Sequence, residues 1–262
     1  MTTNRSPGDY DDYAATYAWS RSPVDWVLDP LQQLARAAPP QSHVLELGCG
    51  TGNYIRTLAG SVTGRTYTGL DRSRPMIEQA RRSPERVDYV VADAARDLPF
   101  HQRTFALAFA VDVVHHVDDL PRFFAEAARV LQPGGRLTIV TDSDPTLRRR
   151  SLTVHFPEIL PIELERYPAI SVLHAAAFRA GFELLAHEHA VGDVPLTDEF
   201  LTGLDAKCSS AMRLLPPAQH AAGMARVRAA RVRGEAWHSV YDVLHYVRLP
   251  GLPASVEDTA TG

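Results

Sequence analysis

Three glycines at alternate positions follow an apolar run, and one acidic residue stands just ahead of them. In the stretch VLELGCGTGNY, residues 44–54, the glycines are Gly48, Gly50 and Gly52, and Glu46 lies two positions before the first. Glycine allows a strand to turn sharply into a helix and the backbone to approach a ligand closely, and that helix points its first N–H groups at the ligand. Because the Glu46 carboxylate would repel a pyrophosphate, we expect a ligand with an ammonium or other cationic group.

Two more acids stand at the ends of the next two predicted strands. Asp71 closes the second predicted strand, at residues 66–70. It lies about 20 positions after the glycines, where a carboxylate can accept hydrogen bonds from both hydroxyls of a ribose. Asp93 closes the third run, at residues 87–92. NAD-binding proteins share the first of these acids, but their glycines follow the G-x-G-x-x-G spacing, whereas this chain has G-x-G-x-G.

The glycine loop resembles the first motif of class I S-adenosylmethionine-dependent methyltransferases, and the elements after Asp93 extend this resemblance. A fourth predicted strand at residues 105–111 leads to the pair His115-His116 and then to a helix. A Leu-Gln-Pro-Gly-Gly-Arg turn at residues 131–136 follows, and then a fifth strand at residues 137–141. This order is similar to that of the small-molecule methyltransferases related to the ubiquinone/menaquinone biosynthesis group.

The resemblance implies an α/β fold. This fold is a Rossmann-like, seven-stranded, mostly parallel sheet flanked by helices, with an N-terminal helical flap and a helical lid insertion. The resemblance has specific motifs over residues 40–145 and is looser over residues 10–39 and 168–190. One departure from the family is Ala106, which stands where many relatives carry an Asp. We take the contact made by that Asp to be of minor importance.

A length of 262 residues suits one α/β domain, so we expect a single methyltransferase domain over residues 1–262. Insertions after the fifth and sixth strands would lie at the carboxyl edge of the sheet, where ligands bind in open α/β folds. The predicted parts are an N-terminal helical flap at residues 1–39, a cofactor-binding core at residues 40–145, and the rest of the sheet at residues 146–262, with lid segments around residues 146–167 and 195–234.

The resemblance implies S-adenosylmethionine as the cofactor. It places Asp71 on the ribose, Asp93 on the adenine amino group and the amide of Ala94 beside the adenine ring. Tyr17 and Arg21 fit a Tyr-x-x-x-Tyr-x-x-x-Arg stretch that covers the site in relatives, although an aromatic helix face packed on the core would show the same spacing. The cofactor-binding residues so predicted are Tyr17, Arg21, Glu46, Gly48, Cys49, Gly50, Asp71, Arg72, Met76, Asp93, Ala94 and Val111.

His115 is the candidate catalytic residue. Methyl transfer from a sulfonium is a direct displacement, so the protein mainly holds the reactants in line and excludes water, and a general base is optional. Histidine has a suitable pKa for such a base. We expect His115 at the rim of the site and His116 turned elsewhere. The alternative is a packing role, because relatives with unrelated substrates carry the same His-His pair.

Composition gives no sign of a nucleic-acid or membrane partner. The formal net charge is −4, from 27 basic and 31 acidic residues, so we expect no bulk attraction to nucleic acid or anionic membrane. No apolar stretch approaches the roughly 18 residues of a membrane span. We expect a cytoplasmic protein that acts on a small molecule, with a homodimer as the one protein partner that we consider. Solvated helix faces are predicted for Arg148, Arg149, Arg150, Arg226, Arg228, Arg231 and Arg233.

Neither the cysteines nor the histidines form a metal-binding pattern in the sequence. The two cysteines, Cys49 and Cys208, are too far apart for a zinc motif or a disulfide framework. Cys49 has no basic neighbour that would lower the pKa of its thiol, so we do not predict a nucleophile. His187 and His189 would share one face of a strand, but no third ligand lies nearby in the sequence, and we predict no metal site.

The function predicted from these features is S-adenosylmethionine-dependent methyl transfer to an O, N or C atom of a small molecule. The lid segments favour an apolar or aromatic acceptor, of the kind found in specialised metabolism. One alternative is a protein of the same fold that binds the cofactor without transferring methyl, as a regulator or as a catalyst of rearrangement. A less favoured alternative is an NAD-dependent oxidoreductase.

Overall fold

The computed structural model describes residues 22–207 and 209–250. Short apolar runs form the strands, because the inner strands of a parallel sheet are buried on both faces. The strands are β1 (His43–Leu47), β2 (Thr66–Asp71), β3 (Asp88–Val91), β4 (Phe105–Val111), β5 (Leu131–Thr141), β6 (Phe182–Val194) and β7 (Trp237–Arg248).

The strands form one sheet in the order β3-β2-β1-β4-β5-β7-β6. β1 to β5 pair in parallel, and β7 runs antiparallel to both of its neighbours, β5 and β6. The predicted Rossmann-like, seven-stranded, mostly parallel sheet is therefore confirmed. The strand order reverses between β1 and β4, and ligands of open α/β sheets bind at such a reversal, beyond the carboxyl ends of the strands.

Helices cover both faces of the sheet, because successive side chains of each strand point to opposite faces. Val44 belongs to the apolar cluster on one face, whereas Leu45 belongs to the apolar cluster on the other. No helix among the described residues has both the length and the apolar composition of a membrane span. The helices are α1 (Asp25–Ala37), α2 (Asn53–Ser61), α3 (Arg74–Ala80), α4 (Leu120–Val130), α5 (Asp144–Arg149), α6 (Ser151–His155), α7 (Ile159–Arg166), α8 (Ile170–Arg179), α9 (Asp198–Asp205) and α10 (Pro217–Val232).

The described part of the predicted flap at residues 1–39 belongs to the core. It forms α1, whose Val27, Leu31 and Ala35 are buried against the sheet at four-residue spacing. Trp26 packs on Gly192 of β6 so closely that a Cβ on the glycine would lie 2.1 Å from the indole ring. The predicted contacts of Tyr17 and Arg21 lie outside the described residues.

The Pro-Gly-Gly segment lies within a strand, whereas the sequence predicted a turn before a strand at residues 137–141. β5 begins at Leu131, which pairs with Phe105, and the next pair joins Arg136 to Leu107. The intervening residues bulge out of the ladder, with Gly134 at a φ of +77°. Because Leu131 pairs with β4, the strand begins earlier in the chain than predicted.

Two inserted helical segments meet at the carboxyl edge of the sheet. α5, α6 and α7 follow β5, and α9 and α10 lie between β6 and β7. Phe156, between α6 and α7, packs with Leu204 of α9 and Met224 of α10 in one apolar cluster. Gly223 of α10 touches Phe156, where a Cβ would come within 2.0 Å of the ring. The two segments therefore form one packed unit above the sheet.

Candidate functional site

The glycine loop joins β1 to α2 in a conformation that favours glycine. Gly48, Gly50 and Gly52 have φ angles of +73°, +54° and +76°. The amides of Gly48 and Cys49 donate to the carbonyl of Leu70 at 2.7 and 2.8 Å, which fixes the loop against the end of β2. A Cβ at Gly48 would lie 2.6 Å from Val113, and one at Gly52 would lie 2.4 Å from the Tyr89 hydroxyl. Two of the three glycines are thus required by packing as well as by backbone conformation.

Asp71 lies at the end of β2, and its carboxylate is bound by the backbone on two sides. Oδ2 accepts from the Gly50 amide at 2.8 Å, and Oδ1 accepts from the Ser73 amide at 2.8 Å. Burial raises the pKa of Asp71, although the Ser73 and Gly50 hydrogen bonds act to lower it. The acid after the second strand is thereby held in one orientation beside the glycine loop.

Glu46 is a buried carboxyl group beneath the same loop. Its side chain is 2% exposed, and Oε2 accepts from the Ile55 amide of α2 at 2.9 Å. Burial raises the pKa of Glu46 to about 8, against the lowering effect of the Ile55 hydrogen bond, and nearby Asp71 adds to the increase. A cation bound beside Glu46 would favour its ionised form.

Two adjoining cavities lie at the carboxyl edge of the sheet. The smaller one, of about 110 Å³, is lined by eight predicted cofactor residues: Gly48, Gly50, Asp71, Arg72, Met76, Asp93, Ala94 and Val111. Glu46 and Cys49 line the larger one, of about 530 Å³. Burial raises the pKa of the Cys49 thiol well above its usual value, so the thiol is protonated. Both cavities are lined by Gly48, Val111, Asp112 and Ser210, so they meet there.

The two histidines after β4 take the opposite directions to those predicted. Both belong to a 3₁₀ helix, Val114–His116, in which successive residues point about 120° apart. His116 lines the smaller cavity, whereas His115 lines neither cavity and its side chain is 4% exposed. The His115 ring stacks on Tyr167, with the ring centroids 4.1 Å apart. Burial lowers the pKa of His115 well below its usual value, and His116 adds to this effect.

Tyr167 and Asp112 form a pair at the cavities that the sequence did not reveal. The Tyr167 hydroxyl donates to Asp112 Oδ1 at 2.6 Å, and His115 Nδ1 lies 3.7 Å from the same oxygen. Asp112 directly follows β4 and has a φ of +59°, a conformation that non-glycine residues seldom adopt outside turns and functional sites. Its place after Val111 was the one available signal in the sequence, whereas Tyr167 comes from a distant segment.

Arg150 is buried, which corrects the prediction of a solvated helix face for all of residues 148–150. It is 8% exposed and forms ion pairs with Asp142 and Glu163, and it lines the larger cavity together with Glu163. Burial raises the pKa of Asp142 to about 7, even though Arg150 acts to lower it. Arg148, two positions earlier, is exposed and pairs with Asp144 at the surface. Only the ion-pair partners, which come from other segments, explain why Arg150 turns inward.

Comparison with known proteins connects this geometry with a family. Residues 45–139 match the family described as "Methyltransferase domain". The demethylmenaquinone methyltransferase of Tropheryma whipplei (strain Twist) is 38% identical over 103 residues, which are 39% of this chain and 42% of that protein. The chain spans about two fifths of the length of curated relatives that it matches.

Solved structures share the fold over most of the chain. A candidate methyltransferase from an antibiotic biosynthesis pathway of Anabaena variabilis ATCC 29413 has a TM-score of 0.66 at 20% identity, over 87% of this chain and 98% of that one. A geranyl diphosphate methyltransferase has a TM-score of 0.55 at 21% identity, over 85% of this chain and 78% of that one. Residues 45–139 therefore form a methyltransferase domain, and the chain shares its fold with solved methyltransferases.

Proposed function

We propose that this protein transfers a methyl group from S-adenosylmethionine to an O, N or C atom of a small molecule. The observation that carries the proposal is the Asp71 carboxylate, held against the Gly50 amide in the lining of the smaller cavity. In this proposal residues 40–145 hold the cofactor. The segments at residues 146–167 and 195–234 enclose the acceptor.

The residues present suit this cofactor by their chemistry. The Asp71 carboxylate offers acceptors to ribose hydroxyls, and Asp93 with Ala94 offers an acid and a backbone amide to an adenine ring in the same cavity. Glu46 offers a buried carboxyl to the ammonium group of the methionine portion. When bound, S-adenosylmethionine supplies the electrophilic sulfonium methyl group. The chain itself binds and orients the reactants and keeps water away from them.

The larger cavity supports an acceptor with an apolar body and one polar end. Trp26, Tyr54, Phe200 and Trp237 are among its aromatic lining residues, and Arg150, Glu163 and Tyr167 form a polar group in the same lining. Apolar and aromatic walls with a few fixed polar groups are typical of small-molecule sites. We infer an aromatic or otherwise apolar acceptor from specialised metabolism, with its polar group directed at Tyr167 and Arg150.

The decisive experiment supplies the purified protein with methyl-labelled S-adenosylmethionine and fractionated metabolite extracts. A labelled small molecule, identified by mass spectrometry, would establish the reaction and the acceptor together. Cofactor binding without label in any fraction would favour the non-methylating alternative. Tight binding of NAD in place of S-adenosylmethionine would contradict the proposed cofactor.

The raised pKa of Glu46 predicts that cofactor binding at pH 7 releases a proton. Its pKa of about 8 means that most molecules carry a protonated Glu46 at pH 7. An ammonium group beside the carboxyl would stabilise the ionised form and lower that pKa. Calorimetric titrations at pH 7 in buffers of different ionisation enthalpy should therefore show proton release, and at pH 9 the release should be much smaller. Glu46→Gln should show weaker binding and no release. Equal release by both proteins would contradict this role.

His115 is expected to position its neighbours without acting as a base. His115→Asn should lower kcat less than about tenfold, since removal of a true base costs about 10²- to 10⁴-fold. His115→Phe, which keeps a ring against Tyr167, should retain more activity than His115→Ala. Single-turnover rates measured across pH provide the check. If an acid limb near pH 6 to 7, the range of imidazole, were present in the wild type and absent from the Asn variant, His115 would be the base after all.

A further inference from the structure

Two histidines and an aspartate meet on the outer strands of the sheet, apart from both cavities. His189 of β6 is the direct partner of Asp242 of β7, and His187 lies two residues earlier on β6, on the same face. His187 Nε2 lies 2.7 Å from Asp242 Oδ1, and His189 Nδ1 lies 3.4 Å from the same oxygen. The three donor atoms all lie within 4.8 Å of one another. The third ligand that the neighbouring sequence lacked is thus supplied by another strand.

The Asp242 carboxylate is held in place from its other side. Oδ2 accepts from the Thr146 hydroxyl of α5 at 3.0 Å, and the side chain is 1% exposed. The carboxylate is therefore fixed in position. The imidazoles of His187 and His189 are 34% and 49% exposed, so an ion can reach the cluster from solvent.

We propose that His187, His189 and Asp242 bind a divalent transition-metal ion of the zinc type, independently of methyl transfer. In tetrahedral coordination, donors about 2.0–2.2 Å from zinc stand roughly 3.3 Å from one another. The observed separations of 2.7 and 3.4 Å lie on either side of that value, so small side-chain rotations suffice. Two imidazoles and one carboxylate suit zinc better than calcium or magnesium, which prefer all-oxygen sites. Water would complete the coordination on the exposed side.

An ordinary His–Asp hydrogen bond is the alternative, and the same two strands provide an example of it. Nδ1 of His238 in β7 lies 2.8 Å from Oδ1 of Asp193 in β6, across the same ladder. Among residues 22–207 and 209–250, only the cluster at Asp242 brings three possible ligands together. His174 is near, with its ring centroid 6.1 Å from that of His187, but its Nδ1 is hydrogen-bonded to the Tyr246 hydroxyl. A second imidazole is what distinguishes the Asp242 cluster from the His238 pair.

A bound ion would join the edge strand β6 to β7 by coordinate bonds. Within the part of the chain that the structure describes, β6 pairs with β7 alone, so its other side has no strand neighbour there. Because Thr146 bonds to Asp242, α5 would be connected to the same ion through its carboxylate ligand. An ion that binds the folded chain more tightly than the unfolded chain raises the thermal midpoint, by an amount that grows with the logarithm of its concentration divided by its Kd. Thermal stability is therefore a readout separate from enzymatic activity.

The test uses the tag-free, metal-stripped full-length protein. Isothermal titration with Zn²⁺ should show one ion per chain, and Zn²⁺ should raise the thermal midpoint. His187→Gln and His189→Gln should each weaken binding by about 100-fold or more, because loss of even an outer-shell partner costs about 10- to 100-fold. His238→Gln is the matched control and should bind as the wild type does.

Three outcomes would overturn the proposal. The first is the absence of Zn²⁺ binding by the wild-type protein. The second is undiminished binding by the His187→Gln/His189→Gln double variant. The third is a thiolate charge-transfer band in the spectrum of the Co²⁺-substituted protein, which would place the ion at a cysteine. Retained folding of each variant, checked by circular dichroism, ensures that a loss of binding reports on the ligands.

Discussion

Asp71→Ala is expected to weaken the binding of S-adenosylmethionine and of its demethylated product by at least about tenfold. A hydrogen bond to a charged group contributes roughly 1.5–3 kcal/mol, and 1.4 kcal/mol corresponds to tenfold in affinity. In the proposed function the Asp71 carboxylate accepts from ribose hydroxyls while it also holds the Gly50 amide. Removal of the carboxylate therefore costs ligand contacts and loosens the loop. Isothermal titration calorimetry measures the change directly.

Two further variants separate the ligand contact from other effects. Asp71→Asn keeps one carbonyl oxygen at the same place and should bind with an intermediate affinity. Asp88→Asn is the control, because Asp88 is an exposed acid at the opposite end of the neighbouring strand β3. It should bind the cofactor as the wild type does. Full-strength binding by a folded Asp71→Ala protein would show that the cofactor does not lie on this carboxylate.

Arg150→Met is expected to lower the free energy of unfolding by about 3–5 kcal/mol, the usual cost of leaving a buried charge without its partner. Asp142 and Glu163 both pair with this guanidinium, and both are almost completely buried. Without Arg150, Asp142 would have to take up a proton or remain charged without a cationic partner, whereas Glu163 would keep only Arg166. Urea denaturation monitored by circular dichroism gives the free energy.

Arg148→Met is the matched control within the same arginine run. Arg148 is exposed and pairs with Asp144 at the surface, and such pairs contribute about 0–1 kcal/mol. If both variants were equally stable, the buried ion pairs would not hold these segments together. Combining Arg150→Met with Asp142→Asn should recover part of the loss, because Glu163 keeps Arg166 and no carboxylate would then lack a cationic partner.

The sheet and the glycine loop were predictable from the sequence because their signals are local. Apolar runs marked β1 to β5 to within a few residues, except at the start of β5, and the glycines marked the turn after β1. Asp71 and Asp93 were found because parallel strands bring their carboxyl ends to one edge. These features depend on residues that are close in the sequence or on a general rule of topology.

The residues that sequence analysis misplaced depend on partners from other elements of the fold. Arg150 turns inward because Asp142 and Glu163 are there, and an arginine run by itself carries no sign of that. The directions of His115 and His116 follow from the tight 3₁₀ turn and from stacking on Tyr167. Asp242 joins His187 and His189 only through the antiparallel pairing of β6 with β7. Side-chain direction at such points is decided by tertiary packing.

The pairing of Val194 with Trp237 has a consequence for how this architecture can diversify. These two residues are direct partners at the end of the β6–β7 ladder, so the segment between them leaves and re-enters the sheet at adjacent points. An insertion whose ends are neighbours can be exchanged for one of different length without a change in strand register. A chimaera in which the corresponding segment of a relative replaces residues 195–236 would have a different upper wall over the larger cavity, while the sheet would be unaltered. Substrate range could thereby evolve by segment replacement while the glycine loop stays unchanged.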